Sequence, residues 1–280
     1  MVINFIINFC VTRLEYESGL IVSKLYSNCD IGIYKLYFSI EFMGNDLSKI
    51  NIKEKLKEIK EKGFIKSLRK DNTGIGYTLE ELLGIKENNI GEPDFIYNGL
   101  KVELKTQRKK AGSRVTLSTK SPIWDPLRDR EIIAKLGYKD KQGRQALKVT
   151  LKVNHFNPKG FKLSFDNDGL NIVHKEFGIV CYFKFSELVE ATKTKLYENL
   201  LLVLADKKKE GEDEYFQYVE ATLFSKFDEN NFKELMIDGK IVWEFRMHLK
   251  ESGFARDHGS GLRISRKYLP NLFEKAEKIL

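Results

Sequence analysis

At 280 residues, 42% of them hydrophobic, the chain is long enough to bury a core shared by two lobes, and no low-complexity linker divides it. Lys and Arg (48) exceed Asp and Glu (40), giving a net charge of +8 and a pI near 9.1, a modest excess that favours contact with phosphates. Three cysteines with no close pair or metal spacing exclude a disulfide-built domain and suit a reducing cytoplasm, and no apolar run is long enough to span a bilayer.

In chain order, Val2–Val11 is apolar but lacks the basic region and cleavage site of a signal peptide, and Ile31–Phe42 carries strand-forming residues. Residues 1–42 therefore read as an N-terminal extension. The basic run Lys53–Lys70 opens on an amphipathic helix near Asn51–Lys62, with Leu56 and Ile59 on its apolar face. Leu79, Leu82 and Leu83 share a face of a second helix at Thr78–Leu83, which Gly84 stops and in which Thr78 and Glu81 could form a capping box. By pattern alone, Glu80 on that helix is an ordinary exposed acid. Further strands are expected at Leu147–Val153, Gly160–Phe165, Ile179–Phe185, Leu200–Leu204 and Tyr215–Leu223, and helices at Ser186–Asn199 and Tyr268–Leu280. This is an α/β or α+β arrangement, divided into a catalytic lobe over 43–145 and a recognition lobe over 146–280.

The segment that carries chemistry lies between the second helix and these strands. Asn98-Gly99 separates two apolar-rich runs, and both residues tolerate the positive φ of a type I′ turn. A two-residue loop sets the register: Tyr97 faces Leu100, Ile96 faces Lys101, Phe95 faces Val102, and Asp94 faces Glu103. Two carboxylates then stand about 5 Å apart across the ladder, an unfavourable pairing unless a cation joins them. Oxygen ligands suit Mg²⁺, so Asp94 and Glu103 are the candidate metal ligands. Lys105 shares the face of Glu103 and is placed to assist a nucleophile, while Val102, Leu104 and Thr106 turn away. The plain alternative is a surface hairpin with a solvated Glu-Lys face. The basic stretch from Lys105 to Lys110, with Arg114, follows at once and is placed to hold a phosphate backbone.

Near the C-terminus, Ile241–Leu249 alternates, with Trp243, Phe245, Met247 and Leu249 on one side and Glu244, Arg246 and His248 on the other. Arginine can bind guanine O6 and N7 together, and His or Asp can read neighbouring base edges. Asp257 and His258 could instead pair with each other or cap a turn. A zinc site from His248, Asp257 and His258 matches no common ligand spacing.

Pro93-Asp94 with Val102-Glu103-Leu104-Lys105-Thr106 resembles the active-site hairpin of the PD-(D/E)xK nucleases, and together with Leu79-Glu80-Glu81-Leu82-Leu83-Gly84 it resembles MutH. A closer likeness is to the MvaI/BcnI type of restriction endonuclease. It rests on Asp71-Asn72-Thr73-Gly74-Ile75-Gly76, Leu117-Ser118-Thr119-Lys120-Ser121-Pro122, Asp257-His258-Gly259 and Arg263-Ile264, all in the same order. The hairpin is longer than the family's usual one, and Arg256 stands where the family pattern has His.

The resemblance implies a PD-(D/E)xK fold with a mixed central sheet flanked by helices, in which the two lobes clamp duplex DNA. It implies a type II restriction endonuclease that uses Mg²⁺, with Asp94, Glu103 and Lys105 catalytic and Glu80 supporting them. It makes Arg246, His248, Asp257, His258, Arg263 and Lys120 the candidate DNA contacts. The target would be CC and GG flanking a central base pair, cut by a monomer, with a methyltransferase protecting the host. The alternatives are a MutH-like nicking enzyme of repair and a catalytically silent DNA-binding protein. Because the likeness begins near Met43, residues 1–42 are expected to be translated upstream sequence. An intact mass that begins at Met1 would sink that idea.

Overall fold

The computed structural model describes residues 51–85, 93–166 and 169–280 in full, and the backbone of 12–17 and 20–25. Val2–Val11, Ile31–Phe42, Gly91, Cys10 and Cys29 lie outside the described residues. The chain divides into two compact units, 1–44 and 45–280. In the first, β1 (Thr12–Glu17) and β2 (Leu20–Leu25) form an antiparallel hairpin.

The second unit opens with α1 (Ile52–Glu61), whose amide groups at Lys53 and Glu54 donate to the Asn51 side chain at 3.2 and 3.3 Å. After the short β3 (Ile65–Lys66) comes α2 (Gly74–Leu83), closed by Gly84 at φ 77°. This helix starts four residues before the expected Thr78. Thr78 is not a cap: it is buried, and its Oγ1 accepts from the Leu68 amide at 3.0 Å. Gly74 allows the helix to begin there, since a Cβ would lie 2.3 Å from the Arg69 carbonyl oxygen. Then follow β4 (Phe95–Tyr97), β5 (Leu100–Arg108), β6 (Val115–Ser118), α3 (Asp129–Leu136), β7 (Tyr138–Lys139) and β8 (Gln145–Leu151). Next come β9 (Phe161–Phe165), β10 (Gly169–His174), β11 (Gly178–Lys184), α4 (Phe185–Leu196), β12 (Asn199–Glu210) and β13 (Asp213–Phe227). The chain ends with α5 (Glu229–Ile237), β14 (Ile241–Leu249), β15 (Ala255–Asp257), β16 (Gly261–Ile264), a 3₁₀ segment at Arg266–Leu272 and β17 (Phe273–Lys278).

One mixed sheet runs β17-β13-β12-β5-β4, with β3 on β13; β5 and β12 are parallel and place Leu200 beside Glu103 and Leu202 beside Lys105. A second sheet runs β6-β16-β14-β8-β7, with β15 on β14, and β9 to β11 form a third. The mixed sheet contributes to two cores, and the second sheet shares one of them. Leu79 and Leu83 of α2 and Leu56 of α1 pack with Val102, Leu104 and Val203 on one face of the mixed sheet. Trp243, Phe245, Phe161 and Phe183 centre the other core. Leu56, Leu79 and Val102 are all 0% exposed, and burying each such side chain contributes about 1.5–3 kcal/mol.

Sheet membership follows a different line from a division at residue 145. The mixed sheet recruits β12, β13 and β17 from the later half, while the second sheet recruits β6 and β7 from the earlier half. The expected helix at Tyr268–Leu280 is also corrected. Pro270 confines the turn to a 3₁₀ segment, and the open edge of β13 draws Phe273–Lys278 into antiparallel pairing, so ladder hydrogen bonds override local helix propensity. Among the described residues no helix is long and apolar enough to cross a membrane.

Candidate active site and nucleic-acid interface

The hairpin turns at Asn98 (φ 50°) and Gly99 (φ 77°), and Tyr97, Ile96 and Phe95 pair with Leu100, Lys101 and Val102 as the two-residue loop requires. Asp94 immediately precedes β4 and its Oδ2 accepts from the Leu104 amide at 2.6 Å, which brings the carboxylate against β5 next to Glu103. Val102 and Leu104 enter the core, so the alternation of the strand aims Glu103 and Lys105 to the other face. Glu103 is 2% exposed. Its Oε1 receives the Lys105 ammonium, and the Lys195 Nζ reaches the same oxygen at 2.9 Å from the last turn of α4.

Burial and then the neighbouring Glu103 charge raise the Asp94 carboxyl above its ordinary value; the Leu104 amide, Lys105 and Lys195 act in the opposite direction. Two carboxylates held together with partial compensation are a fitting place for a hard divalent cation. Among the described residues no three His, Cys, Asp or Glu side chains group as metal ligands. A pair of carboxylates suits Mg²⁺, which keeps several waters and often takes only one or two protein carboxylates. The donor set therefore fits the metal that the sequence suggests.

Glu80 sits differently. A Cβ on Gly76 would lie 3.6 Å from Glu80 Oε1 and 3.4 Å from Thr106 Oγ1, so the glutamate lies near the row of β5 that turns away from Glu103 and Lys105. Burial of the ring, and then the Glu80 charge, raise the Tyr218 hydroxyl, which donates to the Ile75 carbonyl at 2.8 Å. The basic stretch at the end of β5 is partly engaged by the sheet itself: Arg108 meets Glu214 at 3.4 Å and Lys109 meets Glu220 at 2.6 Å.

The second candidate region is β14 with the turn into β16. Trp243, Phe245 and Met247 are buried as the alternation requires, but Glu244 and His248 are buried too, and only Arg246 of the polar row is exposed. Glu244 gathers three guanidinium groups: Arg114 Nη1 at 2.8 Å, Arg246 Nη2 at 2.8 Å and Arg263 Nε at 3.1 Å. Arg263 is 7% exposed and also donates to the Gly259 carbonyl at 2.7 Å and to Thr116 Oγ1. Asp257 Oδ1 caps a turn by accepting from the Ser260 amide at 2.6 Å. His258 Nε2 is 2.9 Å from His248 Nδ1 and the rings stack at 4.8 Å. Burial, then Arg144 and the other nearby basic groups, lower the His248 pKa. Arg144, Lys148, Glu244, Arg246 and His258 line a cavity of about 470 Å³. A second groove, about 860 Å³, passes Ser118, Thr119 and Lys120 on one wall and Lys195 on the other.

The structure thus brings Asp94, Glu103 and Lys105 together, and separately Arg246, His248, Asp257, His258 and Arg263; Lys120 lies on the groove shared with Lys195. Sequence reasoning missed Lys195, whose contact with Glu103 depends on the docking of a distant helix and leaves no spacing signal. It also missed Glu244 as an anchor, although its alternation with Arg246 and His248 was a usable hint.

The model of the MvaI/BcnI restriction endonuclease family matches residues 53–273. The solved complex of the restriction endonuclease MvaI with cognate DNA is similar over 82% of this chain and 97% of that one, with 27% identity and a TM-score of 0.67. MvaI solved in the absence of DNA matches over 83% and 98%, with 26% identity and a TM-score of 0.48. No curated protein sequence matches the chain. Since the family match spans both sheets and the strands that carry the carboxylates and the arginine cluster, the chain belongs to the MvaI/BcnI restriction endonuclease family and is a site-specific endonuclease.

Proposed function

We propose that the chain is a Mg²⁺-dependent type II restriction enzyme that cuts both strands of a short duplex site of the CC-N-GG kind. The observation that carries this reading is the buried Glu103 with Asp94 beside it and Lys105 on its oxygen. Asp94 and Glu103 hold the ion through carboxylate oxygens. When bound, the ion acidifies a water and offsets phosphate charge. Lys105, fixed on the row of Glu103, orients the attacking water and stabilises charge as the new P–O bond forms and the bond to the 3′ oxygen breaks. The products are a 5′-phosphate and a 3′-hydroxyl. Glu80 supports the site from the Thr106 side of β5.

Base reading falls to the exposed Arg246 with His258 and Asp257, held by Glu244, Ser260 and His248, while Arg263 braces the turn and Lys120 meets backbone phosphate. The cognate DNA in the MvaI complex supports duplex DNA as the substrate. The enzyme works in the cytoplasm as a single chain that cuts the two strands in turn, and a methyltransferase of the same system protects the host.

The test is digestion of unmethylated phage DNA by purified protein with and without Mg²⁺, beside Lys105→Ala. Discrete double-strand fragments that require both metal and lysine are expected, and end sequencing then gives the site. Nicked circles alone would replace this reading with a strand-nicking one, and binding without cleavage across several metals would leave a DNA-binding role.

A further inference from the structure

We propose that Lys195 is a second catalytic lysine, one that grips the phosphate at the cleavage point, and this proposal rests on the nuclease reading above. The two lysines on Glu103 are placed differently. Lys105 springs from the same strand and its side chain is 27% exposed, whereas Lys195 comes from α4, reaches Oε1 of the buried carboxylate at 2.9 Å and stays 52% exposed. Its ammonium therefore lies on the solvent side of Glu103, in the wall of the 860 Å³ groove whose opposite wall carries Ser118, Thr119 and Lys120. A phosphodiester lying in this groove meets the Lys195 charge, which the ion pair links to Glu103. Of the acids on the groove, Glu187 is engaged by Lys120 at 3.2 Å and by Lys184 at 3.3 Å.

The backbone around Lys195 is held in a costly shape. Tyr197 and Glu198 both have positive φ, 47° and 60°, which side chains with a Cβ rarely adopt. The nearly buried Asn199 fixes this turn by donating to the Tyr197 carbonyl at 3.0 Å and to the Lys101 carbonyl of β5 at 3.0 Å. The end of α4 is thus tied to the strand two positions before Glu103, which sets the Lys195 backbone within reach of the carboxylate. In the free protein Lys195 is a counter-ion of Glu103. With DNA bound, its ammonium moves to a non-bridging oxygen of the scissile phosphate while Glu103 keeps Lys105.

The experiment compares wild type, Lys195→Gln and Lys195→Arg on a duplex carrying the site mapped for the wild type. Binding is measured in EDTA from 50 to 200 mM salt, and single-turnover cleavage is measured with Mg²⁺. Lys195→Gln is expected to reduce the negative slope of log affinity against log salt by about one and to slow cleavage roughly 100-fold, with Lys195→Arg restoring the slope and most of the rate. An unchanged slope in Lys195→Gln overturns the proposal, because Lys195 then only accompanies Glu103. So does slowed cleavage that arginine does not rescue. If wild type yields no cleavage site to map, the nuclease reading falls and this one falls with it.

Discussion

The site on β5 and the site on β14 differ in how their charges balance. On β5 two carboxylates, Asp94 and Glu103, share two ammonium groups, Lys105 and Lys195, and the cluster is neutral overall. On β14 one carboxylate, Glu244, holds three guanidiniums, from Arg114, Arg246 and Arg263, which leaves a surplus of positive charge. The arginine cluster attracts a polyanion whether or not metal is bound. The carboxylate cluster carries no such surplus.

The sharpest way to break this comparison is to disable one site and watch the other. Lys105→Ala or Glu103→Gln is expected to lower the cleavage rate by about 10³-fold or more while metal-free duplex affinity, read by gel shift, changes only severalfold. Equal losses in both assays would show that the two sites are not separable.

Glu244→Gln removes the anchor of three guanidiniums and leaves them to repel one another. Breaking such a partly buried ionic group costs about 3–5 kcal/mol, so a marked fall in the thermal midpoint is expected together with a lower ratio of specific to non-specific binding. A variant with wild-type melting and discrimination would remove Glu244 from the reading surface.

Smaller effects appear in the pH dependence of stability, with opposite signs at the two sites. The raised Asp94 pKa means that its stabilising contribution is present at low pH and is lost as pH rises through that raised value. In metal-free protein Asp94→Asn should therefore remove a stability decline on the alkaline side of the ordinary carboxylate value, and divalent metal should mask the difference. His248, lowered from 6.5, contributes stability that is present above about pH 6.5 and is lost as pH falls through its lower folded value. His248→Gln should flatten that acid-side decline, the smallest of these changes, measurable by thermal melts between pH 5 and 8. Identical pH curves for variant and wild type would show that the stacked histidines carry no proton-linked role.

Local sequence was a good guide wherever local geometry decides the outcome. The Asn98-Gly99 turn dictates the register of β4 and β5, and the alternation of Ile241–Leu249 delivers β14 with its stated bounds. Long-range pairing was harder to read. Lys207–Glu210 looks like a charged loop, yet it continues β12 because β13 supplies both its ladder bonds and Glu214 as a partner for Lys207. β17 was concealed for the same reason: its pattern is helical, and only the free edge of β13 makes it a strand. In the candidate sites, the placement of Glu103 and Lys105 on one row of their strand could be read from its alternation, while Lys195 and Arg114 owe their contacts to the docking of remote segments.

The order of strands also constrains how such an enzyme can acquire a new target. The chain enters the mixed sheet with β3, leaves it for the second sheet after β5, returns with β12, leaves again for β14 and finishes in β17. The second sheet is encoded by two separate stretches of the gene, 115–151 and 241–264, so a single recombination event cannot transplant it into a relative and keep the cutting machinery whole.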